Sequence, residues 1–160
     1  MRSPMVMRFL AAALVLCACT SSDGGATSSD SATPADAGPT VTCQNDSRVD
    51  TYVANLTKTS SSGQMKVTLV ASDPAPPVRG NNTWSVKVTD GAGGAVNGAS
   101  LAVTPFMPDH GHGTSVKAAI NAKGDGVYEI TPLYLFMPGV WKITIANGTD
   151  SVDFFFCVAG

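Results

Sequence analysis

The sequence predicts an all-β domain, an immunoglobulin-like antiparallel β-sandwich of about seven strands, preceded by a signal peptide and a flexible linker. Three observations carry this. From about residue 64 onward, apolar residues alternate with polar ones at a period of two, the mark of half-buried strands. Turn residues interrupt that alternation at roughly the eight-to-twelve-residue spacing of sandwich strands. No stretch in this region carries a long 3.6-residue apolar period, so no helix competes. A small closed barrel is the alternative architecture.

Ahead of the domain, Arg2 and Arg8 form a positive n-region, and Phe9 to Cys17 an apolar run too short to span a bilayer as a helix. Leu16-Cys17-Ala18-Cys19 follows. It resembles a bacterial lipobox, in which a small residue precedes the lipidated cysteine. Cys19, after Ala18, fits that position, and Cys17, after Leu16, does not. Residues 1–18 therefore read as a lipoprotein signal peptide and Cys19 as the lipid carrier. An ordinary secretory signal is the plainer alternative. Residues 19–42 are rich in Ser, Thr, Ala, Gly, Asp and Pro. They lack the apolar surface that would offset ordering entropy, so they read as a linker. The expected location is the bacterial cell envelope, lipid-anchored, on a periplasmic or extracellular face, with the membrane as one partner.

Residues 43–160 form the expected folded domain. Cys43 to Ser62 is polar and weakly patterned, and both a short helix and an extended segment fit it. Gln64–Ala71 is the first clear strand, with Met65, Val67 and Leu69 on one face. Asp73-Pro74-Ala75-Pro76-Pro77 breaks it, since proline cannot donate to a ladder. Asn82–Thr89 turns Trp84, Val86 and Val88 inward. Asp90–Gly94 and Asn97-Gly98 are turn signals before Ala99–Val103, whose inward residues are Leu101 and Val103. Thr114–Asn121 is the fourth strand, Val127–Thr131 the fifth, and Val140–Ala146 the sixth, with Trp141, Ile143 and Ile145 on one face. Asn147–Asp150 is a tight hairpin signal. Ser151–Val158 ends the domain with Val152, Phe154 and Phe156 on one face.

With Cys17 and Cys19 assigned to the leader, Cys43 and Cys157 remain. Outside the cytoplasm thiols oxidise, and a bridge would tie the start of the domain to its last strand. The alternative is that the two thiolates bind metal.

The ten basic and twelve acidic residues include no clustered basic face of the kind nucleic acid requires, so no nucleic-acid partner is expected. Catalysis is not expected either. There is no Gly-x-Ser-x-Gly elbow and no phosphate loop, and Ser115 beside His112 is only a chain neighbour. The concentrated chemistry lies in Pro105–Gly113, which holds both histidines of the chain, His110 and His112, together with Met107. Phe136-Met137-Pro138-Gly139 repeats part of it. If successive strands alternate in direction, the Asp73–Asn81, Pro105–Gly113 and Pro132–Gly139 connections share one end of the sandwich. In extended backbone His110 and His112 would project to one side about 6.5 Å apart. Imidazole suits copper and zinc alike, and thioether selects Cu(I). His110, His112, Met107 and Met137 are therefore candidate copper ligands. The plain alternative is a polar surface turn with two methionines filling the core end.

Met107-Pro108-Asp109-His110-Gly111-His112-Gly113, Gly126-Val127-Tyr128 and Leu135-Phe136-Met137-Pro138-Gly139-Val140-Trp141 resemble the YtkA-like domain family, which overlaps with the FixH-like proteins. The resemblance covers roughly Met65 to Val158. It implies a small extracytoplasmic β-sandwich, often membrane-tethered, in a copper-handling setting, with a copper-handling protein as a possible partner. FixH-like proteins carry a transmembrane helix where this chain reads as a lipid tether, so an oxidase-assembly role is not carried over. The alternative to copper binding is a non-catalytic sandwich docking an envelope protein through its end loops or an exposed strand edge.

Overall fold

A computed structural model describes residues 42–160. The expected signal peptide, the expected lipidation site at Cys19 and nearly all of the expected linker lie outside the described residues. The domain is a two-layer antiparallel sandwich without a helix among the described residues. One sheet contains β1 (Leu56–Thr59), β2 (Met65–Asp73), β3 (Gly80–Asp90), β6 (Ala119–Gly124) and β7 (Val127–Leu135), in the order β1-β2-β3-β7-β6. The other contains β4 (Leu101–Met107), β5 (His112–Gly113), β8 (Gly139–Asn147) and β9 (Asp150–Val158), in the order β5-β4-β8-β9.

The inward positions are those the alternation predicts. Met65, Val67 and Leu69 of β2, Trp84, Val86 and Val88 of β3, Trp141, Ile143 and Ile145 of β8, and Val152, Phe154 and Phe156 of β9 are all buried. Trp84 bridges the two sheets, meeting Phe154 and Phe156 edge-on at centroid distances of 5.9 and 5.6 Å, a favoured aromatic arrangement.

Nine strands replace the expected seven, and three boundaries move. The two additional strands, β1 and β5, are short and carry too little apolar alternation to be read locally. β4 does not stop at Val103. Its inward alternation runs on through Pro105 to Met107. A proline is tolerated because β4 pairs with β8 on one side, and only Phe106 and Met107 pair with β5 on the other. The fifth predicted strand ended at Thr131 because its apolar phase breaks there. In β7 the buried residues are Tyr128 and Ile130, then Leu133 and Leu135. The β3 partner absorbs the extra residue as a register shift between Asn82 and Trp84, a bulge that reverses the facing of everything beyond it. The fourth predicted strand moves from Thr114–Asn121 to Ala119–Gly124, since residues 114–118 cross from the second sheet to the first.

The polar segment 43–55 is a run of turns with no helix, and its middle lies along the outer edge of β9. The Asp50 amide donates to the Phe155 carbonyl at 2.8 Å, and the Phe155 amide donates to the Asp50 carboxylate at 2.8 Å. Lys58 pairs with the same carboxylate. This covers part of a nine-residue edge that would otherwise offer unpaired backbone groups. Cys43 and Cys157 form a disulfide, with Cα atoms 5.3 Å apart, so neither is a free thiolate for metal.

Three connections share one end of the sandwich. Gly80 pairs with Leu135, Phe106 with Lys142, and Gly139 with Val158. The β2–β3, β4–β5 and β7–β8 connections therefore emerge together, beside the disulfide at Cys157. The buried Asn82 amide fastens the first of them by donating to the carbonyls of Val78 and Gly80 while its oxygen accepts from the Val78 amide.

Candidate functional site

β4 runs to Met107, and residues 108–111 then reverse the chain into β5. The reversal is closed by the amides of His110 and Gly111, which both donate to the Met107 carbonyl, at 3.2 and 2.9 Å. Gly111 takes φ 68°, a conformation glycine adopts without steric penalty. The backbone between the histidines is thus a turn, not the extended segment the sequence suggested. The turn nevertheless brings the imidazoles together, with centroids 5.7 Å apart and planes inclined by 61°. His110 is exposed on the turn and His112 is half-buried on β5.

The β7–β8 connection closes on the same place. Phe136 stacks on the His112 ring at 5.6 Å and 25°, and meets Tyr134 at 6.2 Å and Trp141 at 5.7 Å. Its carbonyl accepts from Arg79 Nε at 2.9 Å, and the Met137 carbonyl accepts from Trp141 Nε1 at 2.9 Å. The two loops approach each other at Gly139. A Cβ there would crowd the Met107 Cε at 2.7 Å and lie in ordinary contact, 3.9 Å, with the His110 Nε2. The φ of 131° there is one that favours glycine. A shallow cleft of about 320 Å³, lined by Gly113, Thr114, Ser115, Tyr134 and Phe136, opens beside His112.

The predicted site residues divide by burial. Met107 is fully buried and belongs to the core cluster, and Met137 is half-buried in the β7–β8 connection, packed against that cluster. Among the described residues no group of three or more His, Cys, Asp and Glu side chains is arranged to hold a metal ion. The structure brings the two imidazoles together and sets the Met107 methyl and the His110 Nε2 about Gly139, two residues after Met137.

One participant has no signal in the sequence. The Arg48 guanidinium grips both oxygens of the Asp109 carboxylate, at 2.7 and 2.8 Å, across 61 positions of chain. Asp46 orients Arg48 by accepting from its amide and Nε at 2.9 Å and from Nη2 at 2.6 Å. Arg48 sits in the weakly patterned segment, and nothing local marks it. Its hydrogen bonds hold the Asp46 carboxyl down at about 2 and lower that of Asp109. Both carboxyls ordinarily titrate near 3.8. The lowered values mean that the pairing contributes in full above that pH and is lost as pH falls through the folded values. Between about pH 4 and 2 the amide resonances of residues 108–111 should shift and exchange faster, before the core unfolds. A turn unchanged down to pH 2 would remove the ion pair from its support.

The fold and this end define a small β-sandwich that presents a His-bearing turn against a second, methionine-bearing loop. The chain belongs to the YtkA-like family, whose model matches residues 59–146. The matched region holds both loops. It begins ahead of Met65 and stops short of β9, so it differs at both ends from the Met65–Val158 span of the sequence resemblance. No curated protein and no solved structure matches the chain.

Proposed function

We propose that this protein is a lipid-anchored envelope protein that binds copper, as a chaperone or buffer, with Cu(I) as its cargo. His110 and His112 are the imidazole ligands, and Met107 and Met137 the thioether ligands. The observation that carries the reading is the meeting of the two loops at Gly139, where the Met107 methyl and the His110 Nε2 flank one point while the two imidazoles meet edge-on with centroids 5.7 Å apart. Soft thioether with imidazole is a donor set suited to Cu(I) rather than to hard cations. Anchoring at Cys19 would hold the domain at the membrane, within reach of a copper-handling partner. No catalytic step is assigned to it.

Anaerobic titration of residues 43–160 with Cu(I), against a competing chelator, tests this. The parent should bind one equivalent. The His110→Ala/His112→Ala double variant should bind at least about a hundredfold more weakly, roughly 2.8 kcal/mol. A double variant as tight as the parent would sink the assignment.

A second reading draws on the cleft beside His112 and on the outer strand β6, most of whose residues are exposed. Both would suit an interaction module adding an extended partner segment. It requires no stoichiometric metal, and a partner whose capture is lost when residues 105–113 are replaced.

A further inference from the structure

We propose that Arg48 is a positioning residue that holds the His110 turn in its ligand-presenting geometry. The inference deepens the copper-binding reading, since it names what fixes that site's most exposed ligand. His110 stands on a four-residue reversal whose internal restraints are two amides sharing one carbonyl. Asp109, immediately before it, is half exposed, and among the described residues its carboxylate is hydrogen-bonded by Arg48, with two parallel N–H···O bonds. A fork of this kind fixes direction as well as distance, which a single ammonium contact cannot do.

An isolated surface ion pair would contribute little, but bidentate geometry within a network is the recognised exception. The network here is anchored at both ends. On one side the Asp46 amide donates to the Cys43 carbonyl at 3.1 Å, and Cys43 is bonded to Cys157. On the other, Asp50 exchanges two hydrogen bonds with Phe155 of β9. Arg48 therefore projects from a segment pinned to the last strand, and Asp46 presets its guanidinium. The turn is tied to a part of the molecule distant from it in sequence. Arg48, Asp46, Cys43 and Cys157 all lie outside the family-matched residues 59–146, whereas Asp109 and His110 lie inside them. The triad of two carboxylates and one guanidinium also leaves one net negative charge beside His110, favourable to an arriving cation.

The test compares the parent domain with Arg48→Ala and Arg48→Lys. Backbone ¹⁵N relaxation of residues 108–112 in the metal-free protein reads the turn directly, and Cu(I) competition reads the site. Arg48→Ala should lower the order parameters of Asp109, His110 and Gly111 from rigid-backbone values near 0.85 to below about 0.6, and weaken Cu(I) binding about tenfold, with Tm nearly unchanged. Arg48→Lys keeps the charge without the fork. It should resemble the alanine variant in turn order, which separates positioning from a simple charge effect. Order parameters unchanged in Arg48→Ala, or fully restored by lysine, would overturn the proposal. So would a mobile turn with undiminished affinity. A parent that binds no Cu(I) would refute the copper reading instead, and the relaxation data would still decide what Arg48 does.

Discussion

Replacing Cys43 and Cys157 together with serine should lower the unfolding free energy by about 4–5 kcal/mol, the chain-entropy limit for a loop of this size. The bridge spans 114 positions, nearly the whole domain, so its loss frees the unfolded chain more than a short-loop disulfide would. At roughly 3–5 °C per kcal/mol for a domain of this length, Tm should fall by more than about 10 °C. A second consequence is local. Cys43 pins the beginning of the segment that carries Asp46 and Arg48, whereas Asp50 pins its far end through Phe155. Hydrogen exchange in the variant should therefore rise at residues 44–48 while the Asp50–Phe155 contact persists. The check is thermal melting of the double variant beside the parent and beside the parent reduced with a thiol. If all three melt together, the bridge adds nothing to stability and its role is only to fix the segment.

Met107 gives the other large effect, and it separates packing from ligation. The side chain is fully buried, with its terminal methyl against Gly139. Met107→Ala should cost about 2–5 kcal/mol through lost apolar contact and the cavity left behind. Met107→Leu conserves volume and should cost less than about 1.5 kcal/mol. The thioether is absent from both variants, so the leucine variant isolates sulfur chemistry in a folded domain. If Met107 ligates Cu(I), Met107→Leu should fold normally and bind Cu(I) about tenfold or more weakly. If its affinity equals that of the parent, Met107 is core alone, and the site rests on His110, His112 and Met137. Urea unfolding paired with Cu(I) competition on each variant provides both readings.

The parts of the fold legible in the sequence were those written in alternation. β3 and β9 alternate throughout, β2 alternates from Met65 to Leu69 before a register shift, and β8 alternates from Trp141 to Ile145. Within those runs the predicted residues are buried. Where the period shifts phase, as at Thr131-Pro132, the strand was cut short. Only the partner register shows that a bulge carries β7 on to Leu135. Pro105 misled in the same way, because a proline marks a strand end unless neighbouring strands leave its missing donor unneeded. β5 has two residues, and its existence depends on β4 lying beside it.

The candidate site divides along the same line. The histidines, the methionines and their two loops followed from composition. The shared end holds although the strand count behind it missed β5, because β5 and β6 run in the same direction as residues 114–118 cross between the sheets. The disulfide was legible because two cysteines remained in the domain once the leader was set aside. What the sequence alone determined is the sandwich, its core faces and the residue types gathered at one end. Tertiary structure decided how they are arranged. It replaced an extended His-Gly-His with a turn, stacked Phe136 on His112, buried Met107, and brought Arg48 to Asp109. The physical reason is range. Alternation and turn chemistry are properties of neighbouring residues, whereas a guanidinium meeting a carboxylate 61 positions away depends on where the whole chain has already folded.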